Sequence, residues 1–248
     1  MGALHAGHLA LVARAREYGS VASSVFVNPL QFGAGEDLER YPRDFEGDRK
    51  KLQSAGVELL FAPESQAMYP AGFSTSIDVG ALGESFEGAI RPEHFRGVAT
   101  VVAKLLHLIA PDALFLGQKD AQQSAVLRRA VRDLNLPVEI RLVETVRESD
   151  GLALSSRNAY LDASQRAAAP TLYRSLLALR AALERGEAKA SAVDRAQAVL
   201  APTAQLDYYD VVDAQTFAPL EALRAPAFII GAVRLGKTRL IDNLWIQT

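Results

Sequence analysis

Residues Ala113-Leu114-Phe115-Leu116 run directly into Gly117-Gln118-Lys119-Asp120-Ala121-Gln122-Gln123. Four apolar residues of strand length lead into a polar loop, the loop opens a helical pattern over residues 120–134, and residues 138–143 read as a second strand. Strand, helix and strand in succession make a crossover unit, which sets its two strands parallel. The alternation extends upstream. A helix is expected over 7–18, a valine-rich strand over 21–27, a helix over 45–55, a strand over 57–62 and a long helix over 93–110. Residues 1–145 therefore predict an α/β domain with a doubly wound parallel sheet.

After Asn158 the pattern changes. Two alanine- and leucine-rich helices, over 163–184 and 190–200, flank Gly186, and strands over 206–212, 227–233 and 238–242 predict a small, mostly antiparallel sheet. The join falls near residues 144–151, a polar stretch ending in the turn dipeptide Asp150-Gly151. Residues 146–248 are accordingly a small α+β domain, expected to act as a lid.

Composition narrows the functional classes. The chain has 248 residues, 49% hydrophobic and 23% charged, a globular balance with enough apolar matter for a sizeable core. Its 27 Lys and Arg against 29 Asp and Glu give a net charge of -2, without the basic excess of a nucleic-acid binder. Absence of cysteine excludes disulfides, thiolate metal sites and a cysteine nucleophile, and suits a reducing cytosol. Lys104 interrupts the longest apolar run, over 98–110, and no basic region followed by an apolar core opens the chain, so neither a membrane span nor a secretory leader is expected. The expectation is a soluble, cytoplasmic protein.

Four clusters can carry chemistry. In Met1-Gly2-Ala3-Leu4-His5-Ala6-Gly7-His8, two histidines precede a helix. A helix start offers free N–H groups to an anion, glycine lets the backbone come close, and imidazoles add donors, although the same residues also fit an ordinary surface turn. Phe26-Val27-Asn28-Pro29-Leu30-Gln31-Phe32 follows a strand, where α/β sheets bind ligands; Asn28 and Gln31 offer neutral amides there, or form a common Asn-Pro loop. In 117–123, Lys119 and Asp120 could hold a phosphate and a magnesium ion, or Asp120 could simply cap the helix. Leu154-Ser155-Ser156-Arg157-Asn158 puts hydroxyls and a guanidinium on one short loop, suited to phosphate but also unremarkable as a serine-rich turn.

Taken in order, these four clusters resemble the pantothenate synthetases, and Asp37-Leu38-Glu39-Arg40-Tyr41-Pro42-Arg43 and Arg91-Pro92-Glu93-His94-Phe95-Arg96-Gly97-Val98 look like further signatures of that family. The resemblance runs from Met1 to Asn158 and is weak beyond. More widely it reaches the nucleotidyltransferases related to class I aminoacyl-tRNA synthetases, with His5 to His8 as the His-x-Gly-His signature and 154–158 in place of the Lys-Met-Ser-Lys-Ser loop. It implies a Rossmann-like sheet and a two-step reaction: pantoate attacks the α-phosphorus of ATP to give pantoyl adenylate and pyrophosphate, and β-alanine then displaces AMP. It implies catalytic roles for His5, His8, Lys119 and Arg157. ATP would be bound by Met1 to His8, Gly117 to Asp120, Val146 and Leu154 to Arg157; pantoate would be held by Gln31 and Gln123, with Asn28 and Tyr41 nearby; Asp120 would meet Mg²⁺. Glu87, Arg91 and Tyr41 would line the entrance, and the assembly would be a homodimer.

In that family a strand leads into the Met-Gly-Ala-Leu-His segment, and here Met1 is the motif's own methionine, so the first strand of the sheet is expected to be missing and to be encoded upstream. Leu154, where the synthetase loop has methionine, is a conservative apolar change. Two other readings share the same signals: a different nucleotidyltransferase, which would not need Gln31 and Gln123, and a non-catalytic nucleotide-binding module.

Overall fold

The computed structural model describes residues 2–33, 35–36 and 38–247, so Met1 of the histidine cluster and Asp37 of the Asp37–Arg43 motif lie outside the described residues. The chain divides into two compact units, one of Met1–Gly117 with Gln122–Val143 and one of Gln118–Ala121 with Glu144–Thr248. Residues 118–121 thus group with the later part of the chain, across the expected 145/146 division.

In the first unit, α1 (Ala6–Arg16) precedes β1 (Ala22–Ser24), and α2 (Phe45–Ser54) precedes β2 (Leu59–Phe61). After two short helices, α3 (Ser65–Met68) and α4 (Glu87–Ile90), come the long α5 (His94–Ile109), β3 (Ala113–Gly117), α6 (Ala121–Asp133) and β4 (Glu139–Val143). β1 and β2 pair in parallel with Ala22 opposite Leu59, and β3 and β4 pair in parallel with Ala113 opposite Glu139. The ladders are two parallel pairs, where the sequence pattern predicts one sheet.

The strands expected over 21–27 and 57–62 are each three residues long. Val25 still donates to the Phe61 carbonyl at 3.0 Å, but Pro63, two residues on, has no N–H with which to extend the ladder. Leu4, Val12, Val21 and Leu52 form a buried cluster with Val25, Val57 and Leu60 packed against it, tying the start of the chain to β1, α1 and α2. Removing any one of these buried aliphatic side chains opens a cavity worth roughly 2–5 kcal/mol for the leucines.

In the second unit, α7 (Ala163–Ala168), α8 (Thr171–Glu184) and α9 (Lys189–Gln197) precede an antiparallel sheet ordered β5 (Ala204–Asp213), β6 (Ala227–Leu235), β7 (Thr238–Ile246). The single helix expected over 163–184 is two helices. Pro170 stands in the break: in a continuous helix it would lack the N–H directed at the Arg166 carbonyl, and its ring would crowd that carbonyl. β7 is longer than the expected 238–242, because Asp242 and Asn243 are buried within it with their side chains hydrogen-bonded. Leu172, Leu176, Leu179 and Ala182 of α8 pack on Val211, Ile229, Val233 and Leu235 of the sheet.

Candidate active site

The histidine turn is fastened before its helix begins. Ala3 takes a left-handed conformation at φ 52°, and Leu4 is buried. The Leu4 N–H donates to Asp48 Oδ1 at 2.7 Å, while the Leu4 carbonyl accepts from Lys51 Nζ at 2.8 Å. Asp48 and Lys51 stand three apart on one face of α2, so a carboxylate and an ammonium grip the two sides of the residue that leads into His5.

His5 is the N-cap of α1. Its Nδ1 accepts from the Gly7 N–H at 3.2 Å, and His8 Nδ1 accepts from the His5 N–H at 3.3 Å. A backbone N–H can only donate, so both rings are acceptors at Nδ1, and in each neutral imidazole the proton is on Nε2. The two rings lie 4.0 Å apart, centroid to centroid. The turn thus brings together a helix N-terminus and two imidazoles whose ring donors are Nε2–H.

Asn28 and Gln31 bracket a single 3-10 turn, Pro29–Gln31, just after β1. Asn28 is 3% exposed and its amide meets Leu30, Tyr69, Gly97 and Gln31. The Gln31 carbonyl accepts from Arg91 at 3.1 Å and from His94 Nδ1 at 2.8 Å. Arg91 also forms a forked ion pair with Glu36, its shortest arm 2.6 Å, so it braces the Gln31 backbone; the sequence placed it at the entrance. Burial pushes the Glu36 carboxyl up, but its hydrogen bonds and charge contact with Arg91 more than offset this and leave its pKa lowered. Tyr41 is half-buried edge-on against Phe32 at 5.8 Å, and Glu87 is buried at the start of α4.

Gln123 is half-buried on α6. Its neighbour Gln122 is buried and spent on the fold, donating to the Leu82 and Ser85 carbonyls at 3.0 and 2.8 Å and accepting from the Glu87 N–H at 3.1 Å.

Within the second unit, the Gln118 and Lys119 carbonyls both accept from Asn243 Nδ2, at 2.9 and 2.7 Å, which pins the lysine-bearing loop to β7. Lys119 Nζ lies 3.3 Å from Asp120 Oδ1. Val146 accepts from the Leu154 N–H at 3.0 Å, closing the loop of 147–153. Ser155 caps a short 3-10 turn, Ser156–Tyr160, by accepting from the Arg157 N–H at 3.3 Å. Arg147 clamps Asp242 through two bonds of 2.6 and 2.9 Å, donates to the Gly151 carbonyl at 3.0 Å, and stacks 3.7 Å over the Tyr173 ring. No sequence signal marks Asp48, Lys51, Tyr69 or Asn243 as part of this framework, since each reads as an ordinary surface or strand residue.

His94 carries a testable consequence. Burial, then the Arg91 charge, pushes its pKa down to about 4, against smaller opposing contributions from the Gln31 carbonyl, Glu36 and Glu87. The ring is therefore neutral, donating from Nδ1 to Gln31 and facing Arg91 with Nε2. An unfolded histidine takes up its proton near pH 6.5 and the folded one only near 4, so this stability is intact above about pH 6.5 and is lost as the pH falls toward 4, by about 1.4 kcal/mol per unit. Urea unfolding of the wild type and His94→Gln from pH 7.5 to 4.5 checks it. A steeper acid loss in the wild type is expected, and parallel curves would refute the buried neutral ring.

Among the described residues, no helix is long and apolar enough to cross a membrane. The pantoate-beta-alanine ligase family model matches residues 1–245. Pantothenate synthetases from Heliobacterium modesticaldum and Thermus thermophilus are 50% and 54% identical, over 100% and 98% of this chain and 89% and 90% of their own lengths. A crystal structure of pantothenate synthetase from Thermus thermophilus matches with a TM-score of 0.96 at 53% identity, covering 100% of this chain and 91% of that one. A pantoate-beta-alanine ligase from Francisella tularensis, solved with beta-gamma ATP and beta-alanine, matches at 0.80 and 32% identity, covering 99% and 87%. On a match of this length and closeness, the chain belongs to the pantoate-beta-alanine ligase family.

Proposed function

We propose that the joining of pantoate to β-alanine, the activity of this family and of this chain, proceeds here through a pantoyl adenylate made from ATP. The pantoate carboxylate attacks the α-phosphorus and pyrophosphate leaves; the β-alanine amine then attacks the acyl carbon and AMP leaves. The observation that carries the reading is the histidine turn, two Nε2–H donors at a helix N-terminus held by Asp48 and Lys51, in a chain matching the family over residues 1–245.

Attack of one anion on another needs charge neutralised and reactants held, more than it needs proton transfer. In this reading His5 and His8 donate to phosphate oxygens, the backbone of Gly2 to His8 lies along the nucleotide, and Lys119 and Arg157 supply positive charge, with Ser155, Ser156, Gly117, Gln118, Val146 and Leu154 as further ATP contacts. Gln31 and Gln123 hold pantoate, their neutral amides leaving its carboxylate nucleophilic. Among the described residues no group of three His, Asp or Glu could hold a metal by itself. Asp120 alone fits an ion such as Mg²⁺ that takes most of its ligands from phosphate and water, and that ion, when bound, supplies charge neutralisation. The reading includes a Rossmann-like arrangement of the parallel pairs, supported by the Thermus likeness, as well as a homodimer and a cytoplasmic setting, both resting on the family resemblance.

Pantoate-dependent exchange of labelled pyrophosphate into ATP is the test. Exchange driven by a different acid would favour another nucleotidyltransferase, and nucleotide binding without exchange a non-catalytic module. Gln123→Ala is expected to raise the pantoate KM by at least about tenfold, as a lost substrate hydrogen bond does, with the ATP KM little changed. The reverse pattern would move Gln123 to the nucleotide.

A further inference from the structure

We propose that Asn28 is a positioning residue that fixes which end of the Gln31 amide is offered to substrate, so that Gln31 presents its NH₂ group and selects an oxygen acceptor of the acid. The proposal deepens the reading above and rests on Gln31 as a pantoate contact.

The argument is one of forced donor and acceptor roles. The Leu30 N–H, which can only donate, lies 3.3 Å from Asn28 Oδ1; the Gly97 carbonyl, which can only accept, lies 3.1 Å from Asn28 Nδ2. These two backbone groups admit only one orientation of the Asn28 amide. The Tyr69 hydroxyl, 2.7 Å from the same Oδ1, must then donate, and burial keeps it protonated by pushing its pKa up to about 12. The second hydrogen on Nδ2 is directed at Gln31 Oε1, 3.2 Å away. Both lone pairs and both hydrogens of Asn28 are used, so this residue has no capacity left for a ligand, and its role differs from the substrate contact expected from sequence.

Gln31 inherits the polarity. Its oxygen is turned to Asn28, which leaves its NH₂ as the end available to a ligand. Its own backbone cannot swing to undo this, because the Gln31 carbonyl is held by Arg91 and His94. Gly97 permits the arrangement: a Cβ there would stand 2.2 Å from the Leu30 carbonyl oxygen, so only glycine lets α5 bring its carbonyl up to Asn28. An outward NH₂ welcomes a carboxylate or hydroxyl oxygen and rejects an ammonium or amide N–H in the same place, since two donors would face each other.

The experiment measures KM for pantoate and for ATP, and kcat, in Gln31→Ala, Asn28→Asp and Tyr69→Phe, with thermal unfolding as the folding control. Asn28→Asp keeps the shape but replaces the NH₂ by an oxygen, which recruits the Gln31 NH₂ inward and turns its carbonyl to the substrate. A rise in pantoate KM of about tenfold or more is expected, with ATP KM within about twofold. Tyr69→Phe removes one of the two donors to Asn28 Oδ1, which loosens the amide against Gln31 without reversing it, and is expected to raise only the pantoate KM, by about threefold. Should the aspartate variant fail to fold against the Gly97 carbonyl, Tyr69→Phe decides alone. Loss of pantoate binding in Gln31→Ala beside unchanged values in the other variants would overturn the positioning role while sparing the substrate reading. Normal pantoate binding by Gln31→Ala would overturn both, and an equal rise in both KM values would mark Asn28 and Tyr69 as merely structural.

Discussion

His8→Ala is expected to slow pantoate-dependent ATP–pyrophosphate exchange by about 10²–10³, the usual cost of one lost donor to developing negative charge. His5→Ala should lose as much and should also unfold more easily, because His5 caps α1 through its Nδ1. A lost cap costs about 1 kcal/mol, too little to explain a thousandfold kinetic effect by unfolding. His5→Asn separates the two roles. Asparagine is a preferred N-cap, so stability should return while exchange stays low. Recovery of exchange in His5→Asn, or near-normal exchange in His8→Ala, would show that the turn is only a helix start.

Asp242→Ala is expected to destabilise the chain by about 3–5 kcal/mol, the penalty for leaving a buried charge without its partner. Asp242 is 4% exposed in its side chain and Arg147 17%, and the guanidinium meets the carboxylate with two nitrogens. Arg147 has three further ties, to the Gly151 and Asn243 carbonyls and the Tyr173 ring, which hold it in place when Asp242 is removed. The uncompensated guanidinium is what destabilises the variant. The double variant Arg147→Met/Asp242→Leu removes both charges and should recover most of the loss, since a packed apolar pair often matches a buried ion pair. Chemical denaturation of the three proteins gives the values. A single variant within about 1 kcal/mol of wild type, or a double variant no better than the single, would contradict the account.

What could be read before the structure was whatever depends on local order. Helices over 93–110 and 120–134 appear within one residue of their expected ends, because their apolar spacing and their boundaries lie in the same stretch. Pro170 was visible too, yet an alanine- and leucine-rich pattern on both sides concealed the break it makes. The four motif clusters sit on the expected loops and helix starts, since glycine, proline and short polar side chains mark such places. Their supports did not show. Asp48 lies in Asp48-Arg49-Lys50-Lys51, which reads as a solvated helix face, and only the arrival of Leu4 from 44 residues away makes it a buried acceptor. Asn243 meets Lys119 across 124 residues, and no local periodicity encodes such a meeting.

The Asn28–Pro29 bond has a consequence for how the molecule ages. Asparagine side chains deamidate when the backbone nitrogen of the following residue attacks the amide carbon and closes a five-membered imide, releasing ammonia. Proline's ring nitrogen carries no hydrogen to lose and cannot complete that closure. The one amide whose conversion to a carboxylate would reverse the Gln31 dipole is therefore followed by the residue that blocks the reaction. Long-lived enzyme should accumulate chemical damage at other asparagines first, and Asn28 should still be intact, by peptide mass mapping, when they are not.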